Sequence, residues 1–135
     1  MAFSHGKDAE FYFTVSGTER DFSAYLTSAG LPRALDQSET STFGDDWKQY
    51  QAGLKDSAIP LEGNFDPTAD GYLHTAFDAG TAGTWKFFPA GSAASAVYYQ
   101  GTATVTSYEI NTDIGDAAKI SAELQNSGTI SRSTV

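Results

Sequence analysis

Apolar and polar residues alternate with a period of two along much of this chain. The alternation covers these stretches: residues 11–14, 58–65, 97–106 and 118–125. Successive side chains of a β-strand point to opposite faces of its sheet, so each stretch predicts a strand with one buried face. Trp85 and Phe87 predict another short strand, and Ile130 predicts a weak last one near the end of the sequence.

One segment has the signals of a helix. Asp66 is a suitable N-cap, Pro67 suits the first helical position, and Gly80 suits the stop. The sequence therefore predicts a helix from about Pro67 to Ala79. Its apolar stripe would pack on a sheet through Leu73, Ala76 and Phe77.

Together these elements predict a mainly β protein. We expect a β-sandwich or partly closed barrel of six to eight strands with one flanking α-helix. A chain of 135 residues fits one domain over 1–135. No internal repeat or interdomain linker interrupts it.

The segment from Asp36 to Asp56 shows no regular period. It is polar at its start, yet it carries several apolar side chains: Phe43, Trp47, Tyr50 and Leu54. Irregular segments of such length are uncommon in compact domains and are often functional, so one interpretation is a long interaction loop at about 36–56. The other is a short amphipathic helix, because Trp47, Tyr50 and Leu54 have helical spacing.

The charge balance argues against a nucleic-acid binder. Asp and Glu number 17 against 8 Lys and Arg, a formal charge of −9, and the bases are scattered. Tight binding to DNA or RNA needs clustered cations that displace counterions from phosphates. The chain has no cysteine, which excludes a disulfide scaffold. No signal peptide or membrane-length apolar run is present, so we expect synthesis in the cytoplasm and no direct membrane insertion.

No catalytic or cofactor motif occurs in the sequence. Phosphate-binding glycine loops and a nucleophile elbow are missing, and the two histidines, His5 and His74, lie far apart. We therefore expect no enzyme activity, no cofactor and no metal. Tyr98, Tyr99 and Tyr108 permit a stacking platform for a sugar, but the alternative is ordinary core and cross-strand packing.

A series of short motifs resembles a known family. These are Asp21-x-Ser23-x-Tyr25-Leu26, then Thr40-x-Thr42-Phe43-Gly44-Asp45, Tyr50-x-x-Gly53-Leu54-x-Asp56 and Gly63-x-Phe65-Asp66. In this order they resemble the major tail and tail tube proteins of long-tailed bacteriophages, and related subunits of phage-derived gene transfer particles. The resemblance runs from about Asp21 to Arg132.

The resemblance implies an assembly role. Six copies would form a ring whose inner sheets join into one barrel, and stacked rings would form the tail tube through which genomic DNA passes without tight binding. The implied partners are further copies of the chain, a tape-measure protein in the lumen, and tail-end proteins. The implied location is the virion tail, after assembly in the host cytoplasm.

Two sets of residues gain a role from the resemblance. Glu62 and Glu123, followed by Glu109 and Asp113, are candidates for a lumen that repels phosphates, although each has an ordinary exposed acid as its alternative. The segment at 36–56 would contact neighbouring subunits or the next ring. Its apolar anchors would be Phe43, Trp47, Tyr50 and Leu54, with Asp45, Asp46 and Lys48 as charged rim contacts.

Two other functions compete with the tube. One is a carbohydrate-binding, lectin-like β-sandwich, which predicts a monomer or small oligomer with exposed aromatic side chains in a row. The other is a capsid decoration protein, which would trimerise on a shell.

Overall fold

A computed structural model describes residues 6–135, so His5 lies outside the described residues. A short 3-10 helix (Gly6–Asp8) precedes nine strands and one helix. The elements in chain order are β1 (Glu10–Val15), β2 (Thr18–Asp21), β3 (Leu26–Ala29), β4 (Ala34–Glu39), β5 (Tyr50–Asp56), β6 (Ala58–Asn64), α1 (Pro67–Ala79), β7 (Gly83–Phe88), β8 (Val97–Asn111) and β9 (Lys119–Thr134).

Seven strands form one antiparallel sheet in the order β2-β1-β7-β8-β9-β6-β3, and β4 and β5 form a separate hairpin. The mainly β fold with one flanking helix is as predicted, in its partly closed barrel form. β8 and β9 are longer than the alternation indicated, with 15 and 16 residues. Ile130 belongs to β9 and not to a strand of its own, because β9 continues through Gly128 at φ 92.

The sheet is curled because its two edges are tied together. β2 and β3 lie at opposite edges, yet only residues 22–25 connect them. A connection of that length spans at most about 18 Å, whereas seven flat strands would be about 29 Å wide. Hydrogen bonds tighten the connection: the Phe22 amide donates to the Phe11 carbonyl at 2.9 Å, and the Leu26 amide donates to the Phe22 carbonyl at 3.2 Å.

The concave face of the sheet holds the core. Trp85 is fully buried at its centre, stacked on Phe11 with ring centroids 6.5 Å apart. The Trp85 Nε1 donates to the Asn126 Oδ1 at 3.1 Å, so its one polar atom is satisfied. The alternation predicted this buried face, which includes Phe13, Ile59, Leu61, Ala103, Val105, Ile120 and Leu124.

Helix α1 has the predicted bounds and caps. The Asp66 carboxylate accepts from the Thr68 amide at 2.8 Å, and Gly80 adopts the left-handed conformation at φ 65. Leu73 and Ala76 are buried as predicted. The prediction for Phe77 is wrong: its side chain is 48% exposed, and Ala69 completes the buried stripe instead.

The segment at 36–56 is neither an irregular loop nor a helix. Most of it belongs to the β4–β5 hairpin, which is antiparallel and pairs Ala34 with Asp56 and Glu39 with Tyr50. Every residue of both strands is exposed. With no buried face, the hairpin has no period-two pattern for the sequence to reveal.

Candidate functional site and assembly surfaces

The hairpin contains a bulge at which Gly53 packs closely against Asp36. The register shifts between Leu35 and Gln37, so that residues 53 and 54 together oppose Asp36. A Cβ at Gly53 would lie 3.2 Å from both the Cβ and the carbonyl oxygen of Asp36. The bulge bends the hairpin between its base and its tip.

The hairpin tip, residues 40–49, is held by its own polar groups. The Thr42 amide donates to the Asp45 carboxylate at 2.7 Å, and the Asp45 amide returns a bond to the Thr42 carbonyl at 3.0 Å. The Gln49 amide donates to the Ser41 hydroxyl at 2.7 Å, and the Thr40 amide donates to the Gln49 carbonyl at 2.8 Å. These bonds fix the tip without any apolar packing.

The residues predicted as an interface all lie on this hairpin and are exposed. Phe43 projects completely into solvent, and Trp47 is 85% exposed. Tyr50 and Leu54 are exposed on β5, and the charged Asp45, Asp46 and Lys48 lie in the tip. Exposed apolar side chains of this size, when they are clustered, are typical of interaction surfaces. The interface role itself stays a prediction.

The hairpin base is anchored to the sheet. Ser57 is buried directly after β5, and its hydroxyl donates to the Pro32 carbonyl at 2.5 Å. The side-chain Nε2 of Gln125 donates to the Asp56 carboxylate at 2.6 Å and to the Ser57 backbone carbonyl at 3.1 Å. The base therefore has a fixed position beside β9, while the rest of the hairpin projects away.

A groove of about 740 Å³ lies between the hairpin base and residues 126–130 of β9. Leu35, Leu54 and Ile130 supply apolar lining. The Arg33 guanidinium lies 5.1 Å from the centroid of the Tyr99 ring, close enough for a cation–π interaction. Sequence reasoning missed this base groove, because only the register of the hairpin and its anchoring bring these residues together.

The candidate lumen acids share one face of the sheet. Ser121 on β9 pairs with Glu62 on β6 and with Glu109 on β8, so these three residues form one row across three strands. Glu123 lies one step along the same face, opposite Ser107. Residues opposite each other across two strand spacings are about 10 Å apart. The structure therefore brings Glu62, Glu109 and Glu123 together as an acidic face, all exposed.

Asp113 lies apart from this row. It belongs to the exposed turn that joins β8 to β9, where its carbonyl accepts from the Asp116 amide at 3.3 Å. The neighbouring Ile114 is fully exposed. Asp113 is therefore at the end of the acidic face and not on its strands.

The sheet that carries the acidic face has two open edges. Among residues 6–135, β7 pairs with β8 only at residues 99–103, which leaves residues 104–111 of β8 unpaired on that side. At the other edge, β3 has no strand beyond it. Open edges offer unpaired N–H and C=O groups to another chain. The remaining edge strand, β2, carries consecutive charges at residues 19–21 that discourage pairing.

The tyrosines considered for a stacking platform do not form one. Tyr99 and Tyr108 pack against the core, whereas Tyr98 stacks on Phe88 on the opposite face of the sheet, at 4.9 Å between centroids. Tyr12 completes this second cluster, at 5.5 Å from Phe88. Burial, followed by the nearby carboxylates of Asp21 and Glu10, raises the pKa of the Tyr12 hydroxyl.

The described residues contain no group of three metal-ligating side chains. Among residues 6–135 no helix is both long enough and apolar enough to cross a membrane. What the geometry provides is a set of exposed features: a hairpin, a groove, an acidic face and two open sheet edges.

Comparison with known proteins identifies a family for this chain. A family model described as phage tail tube protein matches residues 5–132, which is nearly the whole chain. No curated protein sequence matches the chain.

Several solved structures share the fold. One is the tail of an empty gene transfer agent particle with C6 symmetry, which has 17% identity and a TM-score of 0.82 over 97% of this chain and 99% of that one. A second, from the virion of a native gene transfer agent particle, has 16% identity and a TM-score of 0.80, with 97% and 99% coverage. The SPP1 tail tube has 14% identity and a TM-score of 0.79 over 98% of this chain and 80% of that one.

Proposed function

The chain belongs to the phage tail tube protein family, and on that basis we propose that six copies join edge to edge into a ring and that the rings stack into a tail tube. A structural role in a virion tail follows from the family. The six-fold ring is supported by the C6 symmetry of the similar gene transfer agent tail.

The open edges of the acidic sheet supply the ring joint. Residues 104–111 of β8 and strand β3 are two different edges of one sheet, β8-β9-β6-β3. When the β3 edge of one copy pairs with the β8 edge of the next, the contact is head-to-tail, which is the kind of contact that closes into a ring. Pairing also removes both edges, as barrel closure does.

The size of such a barrel suits its task. Six copies of the four-stranded sheet give twenty-four strands. Strands about 4.8 Å apart and tilted by about 40° then close at a backbone diameter of roughly 50 Å. After side chains are added, the bore is wide enough for a DNA duplex.

The acidic face is the one observation that best supports a bore for DNA. Glu62, Glu109 and Glu123 lie on the same exposed face, so edge-to-edge joining repeats them around one side of the barrel. Carboxylates on a lumen wall repel phosphates, and DNA then slides without counterion-releasing contacts. Asp113 would extend the negative charge to the rim.

The hairpin supplies contacts between copies. Phe43, Trp47, Tyr50 and Leu54 are the apolar anchors, and Asp45, Asp46 and Lys48 form the charged rim around them. Every residue of both hairpin strands is exposed in the single chain, so only neighbouring copies on several sides can bury its apolar side chains. Stacked or adjacent copies in a tube provide such neighbours.

The wider assembly follows from the same role. A tape-measure protein would occupy the lumen, tail-end proteins would close the tube, and assembly would take place in the host cytoplasm. Structures similar to this chain include an anti-feeding prophage baseplate and its tube-terminating cap. No catalytic step is part of the proposal, since the family is one of structural proteins.

Electron microscopy of the purified protein in negative stain tests the proposal. We expect six-fold rings and stacked tubes of uniform diameter at high protein concentration. Strictly monomeric protein under crowded, low-salt conditions would overturn it. Small oligomers that bind sugars would favour a lectin-like module, and isolated trimers would favour a decoration protein.

A further inference from the structure

We propose that a pocket at the seam of the curled sheet receives the Ile110 side chain of the neighbouring copy in the ring. The seam pocket is the cavity of about 500 Å³ between the start of β1 and strand β3, lined in part by Phe11, Leu26 and Phe87. This inference rests on the proposed ring and names the pocket and the side chain that hold its joint together.

The seam pocket exists because curling does not close the sheet. Strand β3 pairs with β6 on one side, and among residues 6–135 no backbone hydrogen bond joins its other side to β1. The connection between β2 and β3 contacts β1 at Phe11, whose amide donates to the Ser23 hydroxyl at 3.1 Å and whose carbonyl accepts from the Phe22 amide at 2.9 Å. All four residues of β3 line the cleft that remains.

The seam pocket is largely apolar inside. The rings of Phe11 and Phe87 line it, with their centroids 6.2 Å apart, and Leu26 and Ala29 of β3 pack against the same core. Apolar side chains that face an open cleft are stabilised when an apolar group displaces the water there. The pocket therefore fits an aliphatic side chain carried by a strand that pairs with β3.

Ile110 is an apolar side chain that the open edge of β8 leaves uncovered. It pairs with Ile120 on β9, and antiparallel partners point to the same face of a sheet. Ile120 is 3% exposed, so this is the core face, yet Ile110 is 47% exposed. The difference arises because Ile120 has a strand on each side, whereas Ile110 has no strand beyond it. A strand paired with the open edge of β8 would cover Ile110.

The order of the strands fixes how the two edges meet. β8, β9, β6 and β3 are each antiparallel to the next, so β8 and β3 run in opposite directions. Rotation about a ring axis does not reverse a strand along that axis. The β8 edge of one copy and the β3 edge of the next are therefore antiparallel, and the joined sheet keeps its core face on one side. Ile110 then points to the side on which Leu26 and Ala29 line the seam pocket.

A copy cannot fill its own seam pocket with this side chain. Within one sheet β8 and β3 are three strand spacings apart, which is about 14 Å. The open side of β8 also faces away from β9 and β3. Each copy therefore carries Ile110 at one edge of the sheet β8-β9-β6-β3 and the pocket for it at the other. A head-to-tail contact of this kind repeats from copy to copy and closes with the ring.

Removing the Ile110 side chain tests the contact. Ile110→Ala is expected to raise the protein concentration needed for rings at least about tenfold, because the apolar atoms removed are buried at every joint. The fold is expected to stay intact by circular dichroism, since Ile110 is half exposed in the single chain. Ile114→Ala is the matched control: it removes the same side chain from the β8–β9 turn, where Ile114 is fully exposed, and is expected to leave ring formation unchanged. Analytical ultracentrifugation measures the rings.

Disulfide trapping locates the contact, because the chain has no cysteine of its own. Ile110→Cys copies are mixed with copies that carry Thr27→Cys or Ser28→Cys, two exposed positions that line the seam pocket. Each copy has a single cysteine, so a link forms only between copies. As rings form under mild oxidation, we expect a disulfide-linked dimer of one copy of each kind with at least one of the two positions. Thr129→Cys, exposed on β9 away from the seam, is the matched control and is expected to give none with Ile110→Cys.

The outcomes separate the seam contact from the proposed function. Rings that form without either crosslink, or at the same concentration with Ile110→Ala as with Ile114→Ala, would overturn the seam contact alone. Assembled Thr27→Cys rings that still react freely with a maleimide probe would show a pocket left open for a small ligand, and would overturn it too. Absence of rings from the unmodified protein would overturn the proposed function as well.

Discussion

The Tyr108 hydroxyl on β8 donates a short hydrogen bond to the Asp70 carboxylate in the first turn of α1. The bond joins the helix to β8, whose residues 104–111 form an open edge. Burial, and then the bond to Asp70, raises the pKa of the Tyr108 hydroxyl. The position of α1 over the sheet is thus fixed by one polar contact in addition to Ala69, Leu73 and Ala76.

Tyr108→Phe is expected to lower the free energy of unfolding by about 1 kcal/mol. The change removes a hydrogen bond to a charged acceptor, although part of the loss is offset because the pair is partly exposed. Thermal unfolding of the unassembled protein measures it. Tyr98→Phe is the control and is expected to change stability by less than about 0.5 kcal/mol. Equal losses in both variants would contradict a specific role for the Tyr108 bond.

Stability is also expected to fall at alkaline pH. Because the folded-state pKa of Tyr108 is raised above the ordinary value of 10.0, the folded chain keeps its proton longer than the unfolded chain does. The stabilisation is therefore complete below about pH 10 and decreases as the pH rises further. Denaturant unfolding between about pH 9 and pH 11 measures the slope. Tyr108→Phe flattens it, and an unchanged slope would refute the assignment to Tyr108.

Two glycines are expected to respond oppositely to alanine. A Cβ at Gly63 on β6 would collide with the carbonyl oxygen of Tyr25, the residue just before β3, so Gly63→Ala costs about 3 kcal/mol or prevents folding. At Gly71, in the exposed middle of α1, a Cβ meets nothing within 4 Å. Gly71→Ala therefore stabilises by about 0.5–1 kcal/mol. Chemical denaturation of both variants checks the pair, and a tolerated Gly63→Ala would show that β3 can shift.

Trp47→Ala is expected to impair tube formation and leave the β-fold intact. The side chain is 85% exposed in the single chain, so its loss barely changes folding. At a buried interface, removing the Trp47 side chain weakens the free energy of association by about 2 kcal/mol. This is equivalent to an increase of about 30-fold in the protein concentration needed for assembly. Circular dichroism and sedimentation measure the two effects. Phe77→Ala, an exposed aromatic on α1, is the matched control, and normal tubes from Trp47→Ala would remove the hairpin from the interface.

Charge reversal on the acidic face is expected to make the bore retain DNA. Tubes of the Glu62→Lys, Glu123→Lys double variant still assemble, because both positions are exposed on strands. They bind DNA at least about tenfold more tightly than unmodified tubes at low salt, and the difference vanishes as salt rises. Asp78→Lys on α1, alone, controls for added charge. In a particle carrying the double variant, DNA release slows; unchanged binding and release would exclude these residues from the lumen.

The sequence predicted α1 well because its signals are local. Asp66, Pro67 and Gly80 each act on neighbouring backbone groups, so the helix ends can be read without the rest of the fold. Phe77 was misplaced because the helical stripe gives a direction but not the width of the surface beneath it. The buried stripe runs through Ala69, Leu73 and Ala76, and Phe77 lies beside it, 48% exposed.

The hairpin was not predicted for a physical reason. Alternation reports a strand only when one of its faces is buried, and β4 and β5 bury neither face in the single chain. The apolar residues of the segment were still identified as candidates for contact. The base groove was missed, since Arg33, Leu54 and Ile130 come together only through the bulge at Gly53 and the anchor at Ser57.

The acidic face could be predicted only in part, unlike α1, which was predicted, and the hairpin, which was not. Alternation places Glu62 and Glu123 on the polar sides of their strands. Only the register shows that Glu109 shares a row with Glu62 through Ser121. Register depends on strand pairing across distant parts of the chain and on a bulge between Val105 and Ser107, which local patterns do not encode.

The four-residue connection between β2 and β3 has a mechanical consequence. Any force that tends to flatten a subunit is borne there by covalent bonds, which do not weaken with pH or salt as ion pairs and hydrogen bonds do. The curled sheet of each subunit therefore resists flattening. A tail made of such subunits has to bend and stretch at the joints between copies, so its stiffness is a property of those joints.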